Sequence, residues 1–204
     1  MPNSVAQTAL KFAKAYTPLG PNNQSSGQLA PVKPWTPSRS PETKMLSNLA
    51  INRLKANTPV QGCAMGNVLA YARMVMNERA GNCFEQSALV CLFLSVHPDN
   101  PYFRLVRLAP PADHIFVAIG QAPGADGYFP DDFSAWNPNA VIIDPWVGIS
   151  VKARHYPEIW GMKLDVMGAV GEELPRATGY GWHKANDASW RNAPTAHRKL
   201  SYTT

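Results

Sequence analysis

The apolar positions of the chain recur first with a helical period and then with a strand period. Residues 4–16, SVAQTALKFAKAY, set Val5, Leu10, Phe12 and Ala13 on a ragged apolar face, enough for a short helix. From Pro41 onward, Met45, Leu46, Leu49, Ala50 and Leu54 return at three- and four-residue steps, which predicts an amphipathic helix with that face inward. Ser40 is placed to cap it, Pro41 suits its first position and Thr58-Pro59 ends it. A further helix is predicted from about Met65 to Arg79, with Val68, Leu69, Ala72, Val75 and Met76 toward the core and Gly81 as its terminator. The run from Asn82 to Leu94 is nearly all apolar after Ser87, the pattern of a central buried helix.

Past the turn His97-Pro98-Asp99-Asn100-Pro101 the pattern changes. Tyr102–Leu108, His114–Ile119 and Ala140–Ile143 are short β-branched and aromatic runs that predict strands. Between the last two, Gln121–Asn139 is too long for a simple hairpin and is a candidate lid or binding loop. A helix or two is expected near Tyr156–Met167, with an irregular end after Arg176. Helices first and antiparallel strands after them imply an α+β fold, helices packed on a short antiparallel sheet. Residues 17–41 are rich in Pro, Ser, Asn and Gln and bury little, so residues 1–40 are read as a flexible N-terminal arm or delivery segment, anchored at most by Trp35. Residues 41–204 then form the folded body.

Composition narrows the class. A chain of 204 residues suits one domain. It has no apolar run long enough for a transmembrane helix, and its N-terminus lacks the basic and apolar regions of a secretory signal. The net charge is +5, and residues 1–60 hold seven basic residues against Glu42 alone. That surplus suits a solubilised arm, or one steered to an acidic partner or membrane surface. No basic cluster interleaved with aromatics points to nucleic acid. Three cysteines argue against a disulfide framework. Cys83 and Cys91, eight residues apart on one helix, would be about 12 Å apart along its axis, too far to bridge. Pairing of Cys63 with either stays open. CxxC and HxxxH spacings are missing, so no metal is expected.

The chemistry concentrates on three residues. Cys83 follows Gly81-Asn82 at a helix start, where unpaired N–H groups and the helix dipole favour a thiolate and can later hold an oxyanion. Gly81 leaves that approach open. His114 begins the strand HIFVAIG and is the candidate base. Asp144 ends VIID and is the candidate that orients the imidazole, with Trp146 as a shield. Asp113, next to the histidine, points to the opposite face, and Asp131 and Asp132 lie in the long connection. Cys91 reads as a core residue, Cys63 as structural, and Glu85 as a first-turn acid favoured by the dipole or a holder of a substrate amine. Tyr128, Phe129 and Trp136 either line a groove or pin the loop. His97, His155, His183 and His197 have no partner pattern and read as surface residues.

The segments Gly81-Asn82-Cys83-Phe84-Glu85-Gln86-Ser87-Ala88, Asp113-His114-Ile115-Phe116-Val117-Ala118-Ile119-Gly120 and Val141-Ile142-Ile143-Asp144-Pro145-Trp146 resemble, in that order, the papain-like/transglutaminase-like superfamily. The likeness covers about residues 60–148 and is strongest to bacterial toxin and effector enzymes that deamidate host glutamines. It implies a triad of Cys83, His114 and Asp144, and a reaction through a thioester on Cys83 without a cofactor. Asn77 sits where papain-type enzymes carry an oxyanion glutamine, with Gln61 and Asn67 as other upstream amides; Asn82, Tyr128, Trp136 and Trp146 are substrate-binding candidates. The implied setting is a protein substrate in a target cell, reached from the bacterial cytoplasm by a non-classical secretion route, with an immunity protein or chaperone as a further partner. The long connection between the histidine and aspartate strands departs from the effector pattern and leaves the substrate class open. A cysteine protease, a transglutaminase and a non-enzymatic adaptor that keeps the fold are the alternatives.

Overall fold

The computed structural model describes residues 2–26, 40–110, 112–175 and 181–203. In chain order its regular elements are α1 (Pro2–Tyr16), β1 (Ser25–Ser26), α2 (Pro41–Lys55), α3 (Met65–Glu78), α4 (Cys83–Ser95), β2 (Phe103–Leu108), β3 (Ile115–Ile119), β4 (Tyr128–Phe129), β5 (Val141–Asp144), β6 (Ile149–Lys152), α5 (Tyr156–Ala169), β7 (Glu172–Pro175), β8 (Trp182–Lys184), α6 (Ala188–Arg191), α7 (Ala193–Ala196) and β9 (Lys199–Ser201). The fold is α+β. Six strands form one antiparallel sheet in the order β4-β9-β2-β3-β5-β6, and β1-β7-β8 form a small second one.

Both faces of the large sheet are covered, which is why every residue of β3 is buried. Leu105, Ile115, Val117, Ile119, Val141 and Ile143 pack with α1, α3 and α4. The alternate residues Val106, Phe116, Ala118 and Ile142 pack with α5 and the 121–139 connection. The sheet is thus a middle layer, not the floor beneath a single layer of helices. No helix among the described residues is long and apolar enough to cross a membrane.

Four expectations need correction. The first concerns the arm. Ala6, Ala9 and Ala13 of α1 are fully buried against α4 and the β5–β6 end of the sheet, small side chains that let the helix approach closely. The folded body therefore begins near residue 2, while residues 27–39, including Trp35, lie outside the described residues. The second concerns α2. Ser40 does cap it, its Oγ accepting from the Thr43 N–H at 3.1 Å, but the inward face is Ser47, Ala50, Ile51 and Leu54. Met45, Leu46 and Leu49 are 56%, 42% and 49% exposed. Ser47 anchors that face, its hydroxyl donating to the Gly20 carbonyl at 2.8 Å, so that Ala50 and Ile51 pack beside Leu19 of the chain after α1.

The third is the 121–139 connection. It carries β4 and a 3-10 turn at Phe133–Ala135, and it buries Phe129, Phe133 and Trp136. The Trp136 indole donates to the Pro130 carbonyl at 2.9 Å, and the buried Lys199 ammonium donates to the Asp131 carbonyl at 2.5 Å. The first bond braces the connection internally; the second, together with the buried Phe133 ring against Phe116 and Tyr156, fixes it to the body as a lid would not be. The fourth is the C-terminal end, which is not irregular: β9 inserts between β4 and β2, with Arg107 opposite Leu200 and Leu108 opposite Lys199.

Candidate active site

The register of β3 and β5 places two side chains of the site. Val117 lies opposite Ile143 and Ala118 opposite Ile142, so by continuation Phe116 faces Asp144. His114, two residues earlier and on the same face as Phe116, is then the diagonal neighbour of Asp144. Its Nε2 lies 2.8 Å from Asp144 Oδ2, with both side chains buried. The same Oδ2 accepts the Tyr156 hydroxyl at 2.7 Å, and Oδ1 accepts the Trp146 backbone N–H at 3.1 Å. An ionised carboxylate only accepts, so Nε2 carries the hydrogen and Nδ1 is left for the thiol. The rival acids lie elsewhere. Asp113, at φ 35°, is exposed and pairs with Arg107 at 2.8 Å. Asp132 caps the 3-10 turn, accepting from the Ser134 N–H at 2.8 Å.

Helix α4 brings the cysteine. The Ser87 hydroxyl donates to the Ile115 carbonyl at 3.2 Å and docks the second turn of α4 on the first residue of β3. Cys83, four residues earlier, lies about 6 Å further along the axis, within hydrogen-bonding reach of the His114 ring. It is half-buried and packs against both core clusters, at the rim where they meet around the sheet.

The turn leading into Cys83 is held from inside. The Asn82 N–H donates to Glu85 Oε2 at 2.8 Å, the Tyr71 hydroxyl donates to Glu85 Oε1 at 2.9 Å, and Gln86 Nε2 donates to the Gly81 carbonyl at 2.7 Å. Glu85 is buried, so it is a capping acid and not a holder of substrate amines. A Cβ on Gly81 would stand 2.5 Å from Glu85 Cβ. The glycine is therefore needed for this close approach. The left-handed turn that ends α3 is taken instead by Arg79, at φ 61°.

The electrostatics favour a charged imidazole. Burial opposes a charge on His114, but the Asp144 carboxylate, through its charge and its hydrogen bond, outweighs that, and Cys83 adds to it; the pKa rises to about 10. His114 thus holds its proton at neutral pH. Trp160, Trp146 and Phe116 enclose it, at 4.8, 5.2 and 6.2 Å between ring centres. Cys91 is fully buried and burial pushes its thiol far up, as an inert core residue requires. All three cysteines are free, and Cys63 bridges Thr203 through its backbone. Among the described residues no three His, Cys, Asp or Glu side chains converge as a metal would need.

Of the other predicted residues, Asn82 and Trp146 are at the site and three are not. Asn77 is exposed and stands roughly 200° around α3 from the buried Val75. Tyr128 lies on β4, three strands from β3, under the Arg198 guanidinium at 3.7 Å. Trp136 is buried in the pinned loop, stacked on Phe129. Gln61 accepts from Arg107 at 2.6 Å, and Asn67 lines a shallow cavity of about 340 Å³ beside Cys63.

Two features escape a reading of local patterns. One is Tyr156. The other is a strap, residues 20–24, that spans the site. Asn82 Oδ1 accepts the N–H groups of Asn22 and Asn23 at 3.0 and 3.3 Å, and Asn82 Nδ2 donates to Asn22 Oδ1 at 2.9 Å. The Trp146 indole donates to Asn23 Oδ1 at 2.9 Å, and Gln24 Nε2 donates to the Trp146 carbonyl at 3.3 Å. The strap ties the residue before Cys83 to the tryptophan that covers His114. The only signal in the sequence is the amide-rich run Asn22-Asn23-Gln24, which by itself reads as solvated linker. A scan against protein-family models finds no match for this chain, and a search of curated proteins finds none.

Proposed function

We propose that the chain is a cysteine-dependent acyl-transfer enzyme of papain-like or transglutaminase-like type, and that it deamidates glutamine side chains of a protein substrate in a target cell. One observation carries this reading: a dry His114–Asp144 pair, bonded at 2.8 Å, at the rim where α4 begins with Cys83. In the proposed reaction the Cys83 sulfur attacks the carboxamide carbon, and the N–H groups at the start of α4 stabilise the oxyanion. His114 gives its proton to the departing ammonia, leaving a thioester on Cys83. A water molecule, deprotonated by the now neutral imidazole, attacks the thioester; its collapse restores the thiol and releases glutamate. Asp144 stays ionised throughout and holds the tautomer. Proteolysis and transglutamination share the thioester and differ in the leaving group or the second nucleophile.

The deciding experiment is the alkylation of Cys83 by iodoacetamide at pH 6, read by peptide mass spectrometry in the wild type and in His114→Ala. A free thiol, with a pKa of about 8.5, reacts slowly there. Fast modification that is lost in the variant supports the pair, whereas equal slow rates in both refute it. Incubation with glutamine-bearing proteins then separates the products. Deamidation adds about one dalton to an intact chain, and proteolysis gives fragments. A biological effect that survives Cys83→Ala would leave only the adaptor reading.

A further inference from the structure

Asp144 receives more hydrogen bonds than the orientation of one imidazole requires. It is fully buried at the end of β5, and three donors converge on it: His114 Nε2 and the Tyr156 hydroxyl on Oδ2, at 2.8 and 2.7 Å, and the Trp146 N–H on Oδ1 at 3.1 Å. Tyr156 is also fully buried. It opens α5, and its ring packs on Phe116, Phe133 and Trp160 at 5.0, 5.5 and 5.9 Å. In that apolar setting phenylalanine would fill the space without the cost of burying a hydroxyl. The hydroxyl instead bonds the very oxygen that His114 uses. Burial and the neighbouring carboxylate hold the phenol well above its ordinary pKa, so it remains a donor across the range in which His114 changes charge.

We propose that Tyr156 is a positioning residue of the Cys83–His114–Asp144 site, one that shares Oδ2 with the histidine and tempers the hold of the carboxylate on the imidazolium proton. This rests on the reading of the site given above. Two donors on one oxygen divide its charge, so each is bound less tightly than it would be alone. The histidine must both hold its proton at rest and surrender it to a leaving group, and the phenol shifts the balance toward release. Without the hydroxyl, the charge on Oδ2 concentrates on the bond to Nε2, and the titration of His114 moves up. The charges that act on His114 are Asp144 from β5 and Cys83 from α4; Tyr156 meets them from α5, and the other close neighbours, Trp146, Trp160 and Phe116, are aromatic.

The test is an NMR titration of the ring nitrogens in the full chain labelled at its five histidines, with His114 assigned by its loss in His114→Gln. In the wild type His114 stays protonated well above pH 6.5. In Tyr156→Phe its midpoint rises by about half to one pH unit. A second preparation with 3-fluorotyrosine throughout keeps the shape and strengthens the donor, so it lowers the midpoint and serves if the phenylalanine variant does not fold. A midpoint that neither change moves, or that moves the other way, overturns the role of Tyr156, even if the Tm falls, since that is all a packing residue would do. A wild-type midpoint near 6.5 overturns the underlying site reading instead.

Discussion

The sharpest consequence of the geometry is that Asp144→Asn is not a mild substitution. The carboxylate accepts three hydrogen bonds, at 2.8, 2.7 and 3.1 Å, and donates none. An amide in its place brings two N–H donors into a ring of donors. With its nitrogen at the Oδ2 position it meets the Tyr156 hydroxyl and the His114 N–H; with its nitrogen at the Oδ1 position it meets the Trp146 N–H. The first conflict is relieved if Tyr156 rotates its hydroxyl and His114 moves its hydrogen to Nδ1. That gives the imidazole the wrong tautomer toward Cys83 and removes the negative charge that outweighs burial in keeping it protonated. Removing one partner of a buried charged pair costs about 3–5 kcal/mol. For a chain of this size that is a fall in Tm on the order of 10 °C. Urea unfolding followed by tryptophan fluorescence measures the first effect, and Cys83 alkylation at pH 6 measures the second. The variant should lose stability in that range and react no faster than His114→Ala. A variant within about 1 kcal/mol of the wild type, with alkylation intact, would show that the bond is worth no more than an ordinary neutral one and that the carboxylate does not hold the imidazolium.

Gly81→Ala should force Glu85 away from the Asn82 N–H, because the new methyl would stand 2.5 Å from Glu85 Cβ; the expected cost is about 1–3 kcal/mol with slower Cys83 alkylation, and an unaffected variant would deny that the cap positions the cysteine. Asn23→Ala removes the acceptor of the Trp146 indole. It should cost about 1 kcal/mol and speed hydrogen exchange at that indole nitrogen, whereas unchanged protection would mean the strap does not hold the ring. The raised pKa of His114 sets a pH window: its stabilising effect is fully present below the unfolded value of about 6.5 and is lost as pH rises toward about 10. Urea unfolding of Cys83→Ala with and without His114→Gln, where the thiol does not titrate, should show a stability gap that narrows from pH 6 to pH 10; a gap that widens contradicts the sign.

The elements that periodicity located best are those whose partners are near in sequence or whose burial is complete. Residues 83–95 form the central helix expected from an unbroken apolar run, and the three strands expected over 102–143 pair in succession as β2, β3 and β5. The misreadings share a cause. On α2 the apolar count favours Met45, Leu46 and Leu49, yet the buried face is anchored by a serine hydroxyl bonded to Gly20, twenty-seven residues away. On α1 the expected helix and its face of Val5, Leu10, Phe12 and Ala13 do meet the core, but the most deeply buried stripe is alanine, which carries almost no hydrophobic signal and permits the closest approach. β9 is three residues long, too short for alternation to register, and its place is decided by β2, over ninety residues earlier.

The site divides along the same line. Cys83, His114 and Asp144 sit at element boundaries that the sequence marks: a Gly-Asn before a helix, the start of one strand and the end of the next. What supports them is invisible to local pattern, because each support bonds a residue remote in sequence. Tyr156 reaches Asp144 from the helix after the next strand, Tyr71 reaches Glu85 from the preceding helix, and Asn23 reaches Trp146 across 123 positions. A hydrogen bond of this kind needs only one polar atom at one place, so it imposes no period and no composition on the segment that supplies it. It does impose a fold, because the donor is held in reach only if the whole sheet and both helical layers are in register. The strap is the clearest case. The Pro- and amide-rich composition that reads as an idle arm is what a segment needs if it must satisfy polar groups at a half-exposed rim without building a core of its own. Residues 20–24 accordingly belong with the chemistry of the site, and truncating them should be judged by its effect on Trp146 and His114, not by the loss of a tail.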